Sequence, residues 1–92
     1  MTEEAKADLI RIHHYGIRIF GENQADLYYM AFFDQFEKIS DNPYQYQSVD
    51  SIRKGYRRCV CGADSIYFRI HGNTVEIMSI IGRQDIDKIL PK

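Results

Sequence analysis

The stretch SIRKGYRRCVCGADSIYFRIHGNTVEIMSIIGRQD, residues 51–85, decides the fold of this 92-residue chain. Apolar and polar residues alternate over 56–61, 65–71 and 74–81, and this alternation is the period of a β-strand. The segments Gly-Ala-Asp at 62–64 and Gly-Asn at 72–73 are turn signals of the kind that join neighbouring antiparallel strands. The stretch therefore predicts a three-stranded antiparallel meander.

The middle predicted strand has a polar face made of Tyr67, Arg69 and His71. Such a row is most often solvated. The same side-chain types are also what RNA cleavage needs, because that reaction requires a base, an acid and cations for the developing phosphorane charge. The arginines that could join the row are Arg57, Arg58 and Arg83.

Two amphipathic helices are predicted before the sheet. Apolar residues recur every three or four positions over 5–19 and again over 25–39, as they do on one face of a helix. A break of two or three residues between them gives an antiparallel helical hairpin over residues 3–41. The boundary signals are Thr2 as N-cap, Gly21 after the first helix, Asn23 at the start of the second, and Asn42-Pro43 after it.

The second helix carries a further apolar stripe of Leu27, Met30 and Phe33, with Tyr29 beside it. A helix that is apolar on more than one face is either buried on both sides or binds a partner. A 92-residue chain has little interior in which to bury two stripes. The stripe therefore predicts either packing on the sheet or over the 43–51 loop, or a surface for a partner or for self-association.

These elements make one α+β domain over residues 1–92: a helical hairpin on a small antiparallel sheet. The segment 43–50 is predicted to be a polar loop whose tyrosines lie at the edge of the core rather than stack on nucleobases. The sheet occupies 52–81, and the tail 82–92 ends in a short predicted helix over 83–90.

Charge is unevenly distributed along the chain, although the net charge is only −1. Residues 1–42 have a balance of −4, whereas residues 52–69 have a balance of +4. Such asymmetry indicates two different binding faces. The basic half suits an acidic protein segment or a phosphate backbone, but near-neutrality disfavours avid nucleic-acid binding, which relies on many phosphate contacts.

Cys59 and Cys61 are two apart on a predicted strand, so both side chains point the same way. A disulfide between them would be strained, and two thiols do not make a zinc site, so we interpret them as small core residues. No apolar run reaches the length of a membrane helix, and the first residues lack the apolar region of a secretory signal. We expect a cytoplasmic protein.

Several segments resemble the ParE branch of the ParE/RelE toxin superfamily. The first helix and its GENQA junction at 21–25, the helix end FEKISDNP at 36–43, and the strand segments IRKGYR at 52–57, IYFR at 66–69, VEI at 75–77 and IIGRQD at 80–85 occur in the family's order. There are two departures. The family usually begins with a short strand before the first helix, whereas this sequence starts at the helix cap; an absent strand would leave one sheet edge open to strand addition by a partner or a second copy. In addition, Gly82 stands where many relatives have histidine.

The resemblance implies a plasmid-stabilising toxin that inhibits DNA gyrase by binding it and is neutralised by a ParD-like antitoxin whose flexible segment folds onto it. It implies no cofactor, metal or catalytic residue, contact with DNA only through the antitoxin, and a higher-order toxin–antitoxin hetero-oligomer. We expect Arg83 to contact the target. The residues expected to contact the antitoxin are Leu27, Met30, Phe33, Arg53, Arg57, Arg58 and Arg69.

Two alternatives stay open. One is a RelE-like, ribosome-dependent RNA nuclease using the polar row of the middle strand. The other is a binding module that has lost toxicity and serves only as an antitoxin partner.

Overall fold

The computed structural model describes residues 1–82, and they form a helical hairpin packed on a four-stranded sheet. The sheet is antiparallel with the order β1-β2-β3-β4. The predicted α+β fold is confirmed, while the helix predicted over 83–90 lies outside the described residues. In chain order the elements are α1 (Glu3–Phe20), α2 (Glu22–Asp41), a 3₁₀ turn (Pro43–Gln45), β1 (Gln47–Ser48), β2 (Tyr56–Cys61), β3 (Asp64–His71) and β4 (Thr74–Gly82).

A single residue, Gly21, joins the two helices. Its amide donates to the Ile17 carbonyl and its carbonyl accepts from the Ala25 amide, so it ends α1 and begins α2 at once. Its φ of 89° suits glycine, which has no Cβ to clash there. The prediction of a two- or three-residue break, with Asn23 starting the second helix, is therefore wrong. One glycine at positive φ is enough to turn the chain between the helices, so α2 begins at Glu22.

The main core lies between the hairpin and one face of the sheet. Helix residues Leu9, Phe32 and Ile39 are buried against Ile66 and Phe68 of β3. Full burial of an aliphatic or phenyl side chain contributes roughly 1.5–3 kcal/mol each, so this cluster holds the two layers together. Within the described residues, neither helix combines the length and the apolar character needed to cross a bilayer.

A β-bulge in β4 changes which of its residues face the helices. Tyr67 pairs with Ser79 and the next residue, Phe68, pairs with Ile77, so Met78 is the extra residue. Ile77 and Ile80 are three positions apart, yet both belong to the helix-facing core. Strict alternation along β4, as read from the sequence, therefore fails at this point.

The reverse face of the sheet, which is turned away from the helices, has a small core of its own. Tyr67 is 1% exposed there and clusters with Val49 and Ile81, with Ile52 and Tyr56 packed beside them. The expectation that Tyr67 belongs to a solvated row is therefore wrong. The segment between β1 and β2 packs over β3 on this face. The alternation of residues within β3 cannot predict that burial, because it depends on another part of the chain.

The segment predicted as a polar loop, 43–50, contains the 3₁₀ turn and β1. β1 pairs through Gln47 and Ser48 with β2, which makes the sheet four-stranded rather than three-stranded. Tyr46 lies at the core edge as predicted, edge-on to Phe68 with ring centroids 5.8 Å apart. Tyr44 does not, because it is 67% exposed. A two-residue strand is too short to show a period in sequence.

One sheet edge was predicted to be open, and the outward edge of β4 is covered by Thr2 and α1. The Thr2 amide donates to the Ile77 carbonyl (3.0 Å), and the Ile80 amide donates to the Asp8 carboxylate (2.9 Å). These contacts give hydrogen-bond partners to backbone groups on the outward edge of β4.

Candidate functional site

The exposed stripe on α2 forms a surface that we call the outer helical face, made of Leu27, Met30 and Phe33. Their exposed fractions are 62%, 62% and 44%. Of the two uses predicted for this stripe, packing on the sheet is therefore wrong. Large side chains exposed together at helical spacing are the kind of feature that marks a protein interaction surface.

An aromatic row fixes one side of this surface. The Tyr29 and Phe33 rings lie 5.1 Å apart and the Phe33 and Phe36 rings 5.4 Å apart, with tilted or edge-on geometry. The His13 ring lies 4.9 Å from Tyr29, and its Nε2 is 2.7 Å from a carboxylate oxygen of Asp26. The His13 contacts tie α1 to α2 beside this surface, and the ring contacts pack the aromatic side chains along α2.

The predicted arginines do not converge. Arg57 follows the side of Cys59 and so projects on the helix-facing side, while its neighbour Arg58 projects on the reverse face. Arg57 donates to the Tyr46 carbonyl (2.7 Å), and its guanidinium lies 5.2 Å from the centroid of the exposed Tyr44 ring. The two arginines therefore present charge on opposite sides of the β1–β2 edge.

Arg58 is held by an amide rather than a carboxylate, since it donates to the Gln47 side chain at 3.1 Å. Among the described residues, neither Arg57 nor Arg58 has a carboxylate within ion-pair distance. Both guanidinium groups are positioned by neutral hydrogen-bond acceptors. No described carboxylate offsets their positive charge, which is therefore available to an incoming acidic group.

Arg69 and Arg53 are placed differently. Arg69 forms an ion pair with Glu76 across the β3–β4 ladder, with both nitrogen contacts at 2.9 Å. Arg53 lies 5.7 Å from the centroid of the Tyr56 ring. Because Arg69 already has a carboxylate partner, it is a weaker candidate for antitoxin contact than Arg57 or Arg58. Arg83 lies outside the described residues.

The row considered for RNA cleavage is incomplete in space. Tyr67 is buried, Arg69 is paired with Glu76, and His71 is exposed at the end of β3. Arg57 projects on the other side of the sheet, whereas Arg58 projects on the same side as the row, directly opposite Tyr67. The described residues therefore assemble only part of the predicted set on one face.

A groove of about 680 Å³ lies beside the hairpin junction, and no sequence pattern predicts it. Its walls include Tyr15 and Phe20 of α1, Tyr28 of α2, and Asp64 at the start of β3. The Tyr28 hydroxyl donates to the Cys61 carbonyl and to the Asp64 carboxylate, both at 2.8 Å. Burial, reinforced by Asp64, raises the pKa of Tyr28 well above its ordinary value, so the phenol stays a donor.

Both cysteines are free and buried in the helix-facing core. Burial raises the pKa of each thiol, and the Cys59 thiol donates to the Gln35 side chain at 3.3 Å. Protonated, buried thiols are poor nucleophiles and poor metal ligands. No group of three metal-ligating side chains comes together anywhere in residues 1–82.

The architecture is a helical hairpin packed on a four-stranded antiparallel sheet, and a solved structure shares this fold. A structure described as the chromosomal ParDE TA system from P. aeruginosa has the same fold, with a TM-score of 0.78 and 23% identity, covering 88% of this chain and 89% of that one.

Sequence comparisons assign the family. A profile described as "ParE toxin of type II toxin-antitoxin system, parDE" matches residues 1–87. Toxin ParE1 of Caulobacter vibrioides is 33% identical over 81 residues, which is 88% of this chain and 83% of that protein. Toxin ParE1 of Mycobacterium tuberculosis is 26% identical over 92 residues, covering 98% of this chain and 94% of that protein. The chain belongs to the ParE toxin family of type II toxin–antitoxin systems.

Proposed function

We propose that this ParE-family toxin acts by binding a protein, that its target is DNA gyrase, and that a ParD-like antitoxin neutralises it in the cytoplasm. The observation that carries the proposal is the outer helical face. It presents Leu27, Met30 and Phe33 on a hairpin already fixed by aromatic and histidine–carboxylate contacts. A rigid apolar surface of this kind favours docking of an amphipathic segment.

The antitoxin segment that fits these surfaces has two chemical parts. An apolar helix face would cover the outer helical face, and acidic side chains would pair with Arg57 and Arg58, whose guanidinium groups have only neutral partners within residues 1–82. Arginine is suited to carboxylates because its planar fork makes two parallel hydrogen bonds. The toxin itself would then meet DNA only through the antitoxin, in a mixed toxin–antitoxin assembly.

Action by binding rather than by RNA cleavage has support in the geometry of β3. Burial of Tyr67 and the pairing of Arg69 with Glu76 leave His71 without the neighbours that acid–base chemistry on a phosphodiester needs. We therefore expect His71→Ala to retain full toxicity when expressed without antitoxin. Loss of growth arrest by a folded His71→Ala protein would favour the nuclease alternative.

A purified-component supercoiling assay tests the target. The toxin is added to gyrase and relaxed plasmid, with and without its antitoxin. We expect inhibition with accumulation of cleaved DNA, and reversal by the antitoxin. Folded toxin that leaves supercoiling unchanged would contradict the gyrase proposal. Absence of growth arrest in cells as well would indicate a non-toxic binding module.

Antitoxin docking is tested separately by single substitutions. Met30→Glu places a charge at the centre of the outer helical face, and we expect it to weaken antitoxin binding by roughly 10- to 100-fold, as for the loss of a central apolar contact. Ile10→Glu is the matched control, because Ile10 is 55% exposed but lies on α1 rather than on the outer helical face. Equal affinities for Met30→Glu and wild type, measured by calorimetry, would exclude this docking surface.

A further inference from the structure

Four backbone groups on the outward edge of β4 are hydrogen-bonded by three residues near the start of the chain, Thr2, Asp8 and Arg11. The Thr2 hydroxyl donates to the Met78 carbonyl (2.8 Å), and the Thr2 amide donates to the Ile77 carbonyl (3.0 Å). The Asp8 carboxylate accepts from the Ile80 amide (2.9 Å). Arg11 donates to the Ile80 carbonyl (3.2 Å) while pairing with Asp8 at 3.4 Å.

These contacts satisfy groups that otherwise form a template for strand pairing. An edge strand offers a row of free amides and carbonyls, and natural sheets block such rows with charges, bulges or covering elements. Here all three devices meet at one point: the Asp8 carboxylate, the bulge at Met78 and the cover by α1. Both backbone groups of Ile80 are bound by the Asp8–Arg11 ion pair.

β4 itself is a segment that would pair readily if released. Its sequence TVEIMSIIG contains Glu76 as its one charged residue and has no proline, and it is rich in β-branched residues. Glu76 is already paired with Arg69 inside the sheet. An antiparallel pairing of two copies of β4 across a two-fold axis is self-complementary, because each edge supplies the donors and acceptors that the other needs.

We propose that Asp8, with Thr2 and Arg11, is an edge cap that keeps β4 from pairing with β4 of a second copy of this chain. The cap works through the backbone of Ile80 and the bulge, not through the general charge of α1. This role is independent of the antitoxin surface, which lies on the outer side of α2. Removing the acceptor at position 8 therefore opens a route to self-association while leaving the outer helical face intact.

The test compares Asp8→Ala with Asp8→Asn. Both lose the ion pair with Arg11, but asparagine keeps a side-chain oxygen that can accept from the Ile80 amide. Glu3→Ala is the matched control, since Glu3 also forms an ion pair on α1, with Lys6, and that pair is exposed. Analytical ultracentrifugation over a concentration series measures the dimerisation constant, and circular dichroism confirms that each variant is folded.

We expect Asp8→Ala to dimerise at least tenfold more tightly than wild type, with Asp8→Asn and Glu3→Ala unchanged. Folded Asp8→Ala that stays monomeric like wild type would overturn the proposal, and so would equal dimerisation by Asp8→Asn. If Asp8→Ala fails to fold, Arg11→Ala takes its place, because it frees only the Ile80 carbonyl and keeps Asp8. A smaller rise in dimerisation supports the cap, and no rise overturns it.

Amide hydrogen exchange gives a second, direct readout in the wild-type protein. The Ile80 amide faces away from β3 in the sheet, so its protection depends on Asp8. We expect slow exchange in wild type and Asp8→Asn. Exchange at the rate of a free amide in wild type would overturn the cap whatever the oligomeric state.

Discussion

Replacing Gly62 by alanine tests the close contact between the β2–β3 turn and Tyr28 of α2. Gly62 has a φ of 60°, and an added Cβ would lie 2.6 Å from Cε1 and 2.7 Å from the hydroxyl oxygen of Tyr28. The Tyr28 ring cannot simply swing away, because its hydroxyl is bound to the Cys61 carbonyl and the Asp64 carboxylate. The substitution therefore meets both a backbone penalty and a steric one.

The two costs can be given rough sizes. A non-glycine residue in the left-handed region costs about 1–2 kcal/mol. Overpacking against a held side chain costs about 1–3 kcal/mol. We expect Gly62→Ala to lower the free energy of unfolding by roughly 3 kcal/mol, which for a chain of this size lowers the Tm by roughly 10–25 °C.

Gly55 supplies the control for this prediction. It has a φ of 83°, but an added Cβ there meets nothing within 4 Å. Gly55→Ala should therefore show the backbone cost alone, about 1–2 kcal/mol. Urea unfolding followed by circular dichroism measures both variants. Equal losses for Gly62→Ala and Gly55→Ala would refute the steric contribution of Tyr28, and a double substitution with Tyr28→Ala should abolish the difference.

Other consequences of the packing can be measured in the same unfolding assay. Tyr28→Phe removes a hydroxyl that makes two hydrogen bonds, so we expect a loss of about 1–2 kcal/mol, against almost none for the exposed Tyr44→Phe. Phe32→Ala empties a fully buried site and should cost about 3–5 kcal/mol; a loss under 1 kcal/mol would contradict the core assignment. Burial raises the pKa of the Cys59 and Cys61 thiols. Protonated thiols therefore favour the folded state. Their contribution to the free energy of unfolding is complete below the ordinary thiol pKa and is lost as the pH rises through the raised pKa. The urea midpoint should therefore fall above about pH 9, and a smaller fall is expected in a Cys59→Ala, Cys61→Ala protein.

The hairpin and the long strands were predictable because their signals are local. Thr2 caps α1 by accepting from the Ala5 amide, Gly21 ends it, and Asn42 follows α2, each as its residue type indicates. Two of the strand spans differ from those predicted by one residue at one end, at Asp64 and Gly82. The outer helical face was also recognisable, since a second apolar stripe can be counted from the sequence.

What could not be predicted depends on contacts between distant parts of the chain. The burial of Tyr67 requires knowing that Val49 and Ile52 fold across β3. The pairing of Arg69 with Glu76 follows from the β3–β4 register, which the bulge at Met78 shifts. Residue type and spacing indicate the secondary-structure propensity of a segment, but they do not predict which distant segment packs against it.

The attachment of Thr2 and Asp8 to β4 also has a kinetic consequence. These hydrogen bonds join residues 76 and 72 positions apart, so they close almost the whole described chain into a loop. Long-range closures of this kind slow folding, and chains emerge from the ribosome N-terminus first. The helical hairpin is therefore synthesised well before β4, the strand to which the first turn of α1 is hydrogen-bonded. On the nascent chain, the first turn of α1 therefore stays without these hydrogen bonds until β4 has left the ribosome.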